Sequence, residues 1–334
     1  MSQVIRVAPH NLIPGMATPI YQDVQYEKAL AEVTHFGELG SDILYQPTLS
    51  RFHTPTTIAQ QWRGHLDVAS YSLGQISFPY YSIMAKNQSD PGEEAKFGKL
   101  VTCIGLQEFL DDLCKQGIAQ RQHFATWFGF DTDATQGILL NAGTVTTIPN
   151  DSEAHSTIVS YLPAELFQLL TGYARGIMNA TYNAAKPVVI VSTTEIINYL
   201  QTIIIPIASY QMPGAGVDSI AGAYQRVVGT WLGVGKVEFI ADNALAGKGA
   251  NGTDLLSLIA PGLSDQEVKS DQTLVQRSMP QNMRNTFVDE VSGIRTYINP
   301  VMDGVKSKLF SLQTTPGCLI RPEAVVTLEV TYSA

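Results

Sequence analysis

Apolar residues recur at helical spacing across 106–128. Leu106, Phe109, Leu110, Leu113, Cys114, Gly117, Ile118 and Phe124 fall on one side, and Gln107, Asp111, Lys115 and Gln122 on the other. The pattern predicts a long amphipathic helix with one face for burial, its core formed by Leu106, Phe109, Leu110, Leu113 and Ile118. Gly105 can cap it, with Glu108 at the third position. Asp111 and Asp112 lie toward the positive end of its dipole, and Arg121 and His123 toward the negative end. At about 1.5 Å per residue such a helix is a rod roughly 34 Å long.

Before the helix the period changes. Ile76, Phe78 and Tyr80 alternate with Ser77, Pro79 and Tyr81, which predicts a strand over 75–85, and Pro79 makes it an edge strand. The run 87–94 (NQSDPGEE) reads as an acidic turn, and 97–103 as a second strand running back, so a long β-hairpin leads into the helix. Phe78, Tyr80, Tyr81 and Met84 are too many apolar side chains to bury on so thin a projection, and they imply a partner surface. Residues 1–60, with scattered Pro, Gly and Thr and only short apolar runs, read as an extended arm.

After the helix, 141–157 is a polar connector and a candidate boundary. Leu166, Leu170, Tyr173 and Ile177 then mark a second amphipathic helix with Pro163 in its first turn. A continuous apolar strand, 187–191, runs into Ser192-Thr193-Thr194-Glu195, a capping box that opens a helix over 195–201. Helix, buried strand and capped helix predict a separate α/β layer. Strands at 236–241 and 255–260 flank a glycine-rich loop, 246–253, and 263–273 reads as a charged surface segment. Strands are expected at 291–298 and 317–332, where Val326, Leu328, Val330 and Tyr332 alternate with polar residues.

Length and composition sharpen this outline. A chain of 334 residues, 45% hydrophobic, can bury a large core, and length alone suggests about two domains. Charged residues are only 15%, which suits a surface partly covered by neighbours. A net charge of −9 argues against a sequence-independent grip on phosphates. Cys103, Cys114 and Cys318 are widely spaced, with no CxxC pair, and read as reduced thiols in a cytoplasmic compartment. No signal peptide is expected, and the apolar run 203–207 is far too short to span a bilayer.

Candidate chemistry fails on inspection. Gly233-Val-Gly-Lys236 and Gly247-Lys248 lack the outer glycine and the Ser or Thr of a phosphate-binding loop, and Gly214-Ala-Gly216 lacks the third glycine of a dinucleotide fingerprint. Asp131-Thr-Asp133 has Gln136 and Ala142 where a calcium loop needs Gly and Glu. Asp111 and Asp112, adjacent on a helix, point apart, and the six histidines are scattered. No catalytic residue, metal site or cofactor is expected. An alternative is a soluble α/β enzyme assembled from scattered residues such as Asp131, His123 and His155.

The order of these elements has a known counterpart. The arm, the hairpin, Lys99-Leu-Val-Thr-Cys-Ile104, Glu108-Phe-Leu-Asp-Asp112 and Gly129-Phe-Asp-Thr-Asp-Ala-Thr-Gln-Gly-Ile-Leu139 together resemble the major capsid proteins of tailed bacteriophages. Their shell fold, named for phage Hong Kong ninety-seven, is shared with encapsulins. In that family the hairpin is the E-loop, the helix is the spine helix, and the Gln-Gly-Ile-Leu turn closes the helical layer of the peripheral (P) domain. Residues 163–179, 188–191 and 193–195 resemble the start of the axial (A) domain, and Gly317-Cys-Leu-Ile-Arg-Pro-Glu-Ala324 resembles the closing strand. The usual Ser at the start of the spine helix is Gly105 here.

The resemblance implies an α+β Hong Kong ninety-seven-like capsid fold, with a 1–60 arm, a 61–104 E-loop region, a 105–157 spine helix and first P-domain part, a 158–280 A domain and 281–334 P-domain return strands. It implies a non-enzymatic protein that self-assembles into hexamers and pentamers of a virion head around double-stranded DNA, without sequence-specific binding and with no membrane. Scaffold, portal and decoration proteins are further expected partners, with assembly in the host cytoplasm. The arm is too short to hold a scaffolding segment. Phe78, Tyr80, Tyr81, Met84, Lys86, Lys96 and Lys99 are the expected intersubunit contacts. Lys86, Lys96 and Lys99 are available for the crosslinks some relatives make, but no residue identifies one. An encapsulin-like compartment is the alternative within the fold.

Overall fold

The computed structural model describes residues 26–53, 70–100, 105–130, 137–181, 187–206, 217–219, 237–264, 284–302 and 305–333. In chain order its elements begin with β1 (Glu32–Thr34), β2 (Ile43–His53), β3 (Ser70–Pro79), β4 (Tyr81–Ser89), α1 (Pro91–Leu100) and α2 (Leu106–Phe128). There follow β5 (Thr144–Thr147), α3 (Pro163–Thr181), β6 (Val189–Ser192), α4 (Thr194–Thr202), β7 (Ile204–Pro206), β8 (Val217–Ser219), β9 (Glu238–Ala241) and β10 (Asp254–Ile259). The chain closes with β11 (Thr286–Asp289), β12 (Arg295–Met302), β13 (Val305–Thr314), β14 (Cys318–Leu319) and β15 (Val325–Val330). It divides into two compact units, one of 1–24, 82–123 and 292–313, the other of 25–81, 124–291 and 314–334.

The larger unit is built on a five-stranded sheet in the order β5-β15-β10-β6-β9. Its central strands are buried on both faces and are accordingly continuous apolar runs: β6 reads Val-Ile-Val-Ser and β10 carries Leu255, Leu256, Leu258 and Ile259. Leu166, Leu170, Ala174 and Ile177 of α3, and Ile196, Ile197 and Leu200 of α4, pack into the same core. The capping box predicted before α4 is not formed. Thr193 sits at the N-cap position, but its hydroxyl makes no cap bond. Instead the Thr194 N–H donates to Asn243 Oδ1 at 3.0 Å, so a distant loop satisfies the helix end.

A second sheet of this unit, β1-β11-β14, carries the long β2–β3 hairpin beside it. The hairpin pairs Ile43 with Pro79 and His53 with Ser70, and 54–69 between its strands lie outside the described residues. One face of its base, Leu44, Ile76 and Phe78, packs on Phe287 and Cys318. The last turn of α2 also belongs here. Trp127 is fully buried, and its Nε1–H donates to Asp242 at 2.6 Å. The end of α2 is closed by the 137–139 turn, where the N–H groups of Ile138 and Leu139 donate to the carbonyls of Thr126 and Trp127, both at 3.1 Å.

The smaller unit holds the three-stranded sheet β12-β13-β4, α1 and most of α2. The long helix stands where the sequence predicts it. The strand predicted over 97–103 does not: 97–100 belong to α1, and 101–104 lie outside the described residues. Asp90 is the cause. Its Oδ1 accepts the Glu93 N–H at 2.7 Å, Pro91 takes the first helical position, and Glu93 and Glu94 follow, so NQSDPGEE is a capped helix start rather than a hairpin turn.

Candidate functional site

Asp289, at the end of β11, is fully buried and gathers four donors. Thr34 Oγ1 donates at 2.5 Å, the N–H of Phe36 at 2.8 Å, the N–H of Gly37 at 3.0 Å and the Tyr80 hydroxyl at 2.6 Å. The carboxylate therefore ties the strand before the hairpin, the turn into it and the residue that leaves it to one point. Burial, then the hydrogen bond to Asp289, push the Tyr80 hydroxyl well above the usual phenol range. Behind the turn, Arg284 pairs with Glu32 and lies over the rings of Phe36, at 4.9 Å, and Phe287, at 5.8 Å.

This arrangement corrects three expected intersubunit residues. Phe78 is buried edge-on against Phe287, with ring centres 5.6 Å apart, Tyr80 bonds Asp289, and Tyr81 packs on Phe130 at 4.2 Å. All three serve their own chain, because they leave the hairpin at its base rather than project along it. Met84 and Lys86 on β4 and Lys96 on α1 are exposed, and Lys99 lies on the same helix.

The hairpin's other face is open. Ile43, Tyr45 and Pro47 pair with Pro79, Ser77 and Gln75 and so share a face, and Tyr45 is 56% exposed. In the turn before β2, Phe36 and Leu39 are also exposed, at 55% and 64%. Sequence reading missed these residues. Ile43-Leu44-Tyr45 is a continuous apolar run in which alternation cannot tell the buried face from the open one.

In the smaller unit, a polar network fastens the start of α2 to the sheet. Asp111 accepts from Lys308 Nζ at 2.5 Å, Asn87 Nδ2 at 2.5 Å and Gln107 at 3.0 Å, and Ser89 donates to Gln107 at 2.8 Å. Burial acts to raise the Asp111 carboxyl, but the bonds from Lys308, Gln107 and Asn87 outweigh it and hold it below the usual range. Lys306 adds an ion pair to Glu94 at 3.0 Å. Of the predicted helix core only Ile118 is fully buried, while Leu106, Phe109, Leu110 and Leu113 are half-buried. The correction has a physical cause: the early turns of α2 meet the sheet through polar side chains, and apolar ones close the gap only near Ile118.

Lys308 and Asn87 both reach Asp111 on the inner side of the sheet, so the outer side is the one carrying Met84, Lys86, Tyr297, Leu309 and Arg295. Met84 is 63% exposed and Tyr297 46%.

The residues of the enzyme alternative are not drawn into one site. His155 is tied to Asp151 by its Nδ1 at 2.9 Å, His123 lies on α2, and Asp131 is outside the described residues. Among the described residues no group of three or more His, Cys, Asp or Glu could hold a metal, and no helix is long and apolar enough to cross a membrane. Cys318 is fully buried, burial raising its thiol well above the usual range. Cys114 is half-buried, and Cys103 is outside the described residues.

No family model matches the chain, and no curated protein matches it in sequence. Solved structures do. A chain of the capsid of Myoviridae phage XM1 is 12% identical and superposes with a TM-score of 0.69, covering 98% of this chain and 100% of that one. A chain from the capsid of a native GTA particle, 11% identical, gives 0.58 over 97% and 96% of the two chains. One from the capsid of cyanophage P-SCSP1u, 8% identical, gives 0.57 over 99% and 94%. The chain has the Hong Kong ninety-seven-like fold of the tailed-phage major capsid proteins.

Proposed function

We propose that this chain is the building block of an icosahedral phage head, assembling into hexamers and pentamers that close around double-stranded DNA. The observation that carries the reading is a capsid-chain fold over almost the whole length, with the hairpin included. The hairpin supports it on physical grounds. A two-stranded ribbon is marginal in water, and this one keeps an open apolar face that a neighbouring copy would cover. The net charge of −9 suits a container that holds DNA without gripping it. The role is mechanical rather than catalytic, exercised in the virion after assembly in the host cytoplasm. Portal, scaffold and decoration proteins are its expected partners.

The test is negative-stain electron microscopy and sedimentation of the purified chain, alone and coexpressed with phage head proteins. Closed shells or capsomer rings are expected. A monomer under every condition would overturn the proposal.

A further inference from the structure

The two exposed apolar surfaces carry opposite charge. The turn 36–42 and the start of β2 present Phe36, Leu39, Ile43 and Tyr45 with exposed Glu38 and Asp42 among them, and 36–47 contain no Lys or Arg. The outer side of the sheet β12-β13-β4 presents Met84, Tyr297 and half-buried Leu309 beside Lys86 and Arg295. Its outward positions are Ser82, Met84, Lys86 and Gln88 on β4, the odd-numbered positions 305–313 on β13, and 295, 297 and 299 on β12. None is Asp or Glu.

We infer that the acidic apolar turn at the hairpin base of one copy docks on the basic outer face of the three-stranded sheet of a second copy. The inference rests on the shell reading and names the surfaces that would meet. Charge decides the pairing. Turn against turn would set Glu38 and Asp42 against their own kind, and sheet against sheet would do the same with Lys86 and Arg295. Turn against sheet joins opposite charges around two apolar centres. Because the two surfaces differ, the contact is heterologous, and repeated by rotation it builds a ring rather than a closed pair. Shape follows too: a protruding turn with Leu39 at 64% exposure meets a sheet face whose Met84 is a flexible, adaptable side chain.

The test uses the full chain with Leu39→Cys and Met84→Cys together, oxidised after assembly and run on a non-reducing gel beside each single variant. A ladder of covalent multimers is expected from the pair alone. In parallel, Asp42→Lys and Lys86→Asp should each slow assembly, followed by light scattering at moderate salt, by roughly tenfold, and the double reversal should restore the rate. All these side chains are exposed, so circular dichroism should be unchanged. Shells that form without the ladder, or a double reversal no faster than the singles, would overturn the docking and leave the shell reading standing. An unmodified chain that never assembles would remove both.

Discussion

The Tyr80 hydroxyl donates to Asp289 at 2.6 Å across 209 residues of sequence. The ring can come this close because residue 37 is glycine: a Cβ there would stand 2.4 Å from the Tyr80 oxygen. Losing one donor of four should cost about 1–2 kcal/mol, since a bond to a charged acceptor contributes about 1.5–3. Tyr80→Phe is therefore expected to unfold earlier in urea with an unchanged slope. Asp289→Asn should cost more, because its amide would turn a donor against donors. A Tyr80→Phe chain as stable as the parent would show that the hydroxyl is satisfied equally well by water.

Two glycines at the end of the long helix are set by space rather than by φ. A Cβ at Gly137 would lie 2.3 Å from the Trp127 carbonyl oxygen, and one at Gly317 would lie 2.0 Å from that of Thr126. Both neighbours are backbone and cannot move aside, so Gly137→Ala or Gly317→Ala should cost more than about 3 kcal/mol and leave little soluble chain. Gly172 and Gly176 are the reverse case. They lie inside α3 with open space where a Cβ would go, and alanine there should add about 0.5–1 kcal/mol each. Thermal melts of the four variants check both signs.

How much of this was legible from sequence depends on distance along the chain. The helix α2 and the strand β6 announce themselves within their own residues, by period and by unbroken apolar character. The α1 start was also written locally, in Asp90, Pro91 and Glu93, but a turn uses the same letters as a capped helix. The β2–β3 pairing and the Asp289 contacts were not readable. Nothing in Thr-Phe-Val-Asp-Glu foretells that the carboxylate will meet Thr34, Phe36, Gly37 and Tyr80. Exposed Tyr45 and Tyr297 carry the same letters as core residues, and only the fold shows them left open.

The helix face gives a prediction that separates depth from pattern. Ile118 is 1% exposed and Leu113 half-buried, although periodicity gives them equal standing. Ile118→Asp would place a charge in the core and should leave no soluble folded chain. Leu113→Asp should give a folded but weakened subunit. Soluble expression and circular dichroism of the two variants decide it, and equal behaviour would mean that the whole stripe is core.

Acid should act through Asp151. Its Oδ1 accepts the N–H groups of Glu153 and His155, at 3.0 and 2.8 Å, and its Oδ2 accepts the Leu162 N–H and the His155 ring, both at 2.9 Å. Burial acts to raise the carboxyl, but these donors, the His155 backbone foremost, outweigh it and lower it from 3.8 to about 2. A carboxyl whose folded value is depressed contributes stability in full above its unfolded value and loses it as pH falls toward its folded value. The loop 151–162 that leads into α3 should thus hold from neutral pH down to about 4 and weaken between there and about 2. Asp151→Asn removes the titrating group. The urea midpoint of the parent chain should fall more steeply across that window than that of the variant, and parallel curves would place acid sensitivity elsewhere, with Asp111 and its Lys308 partner the next carboxylate to remove.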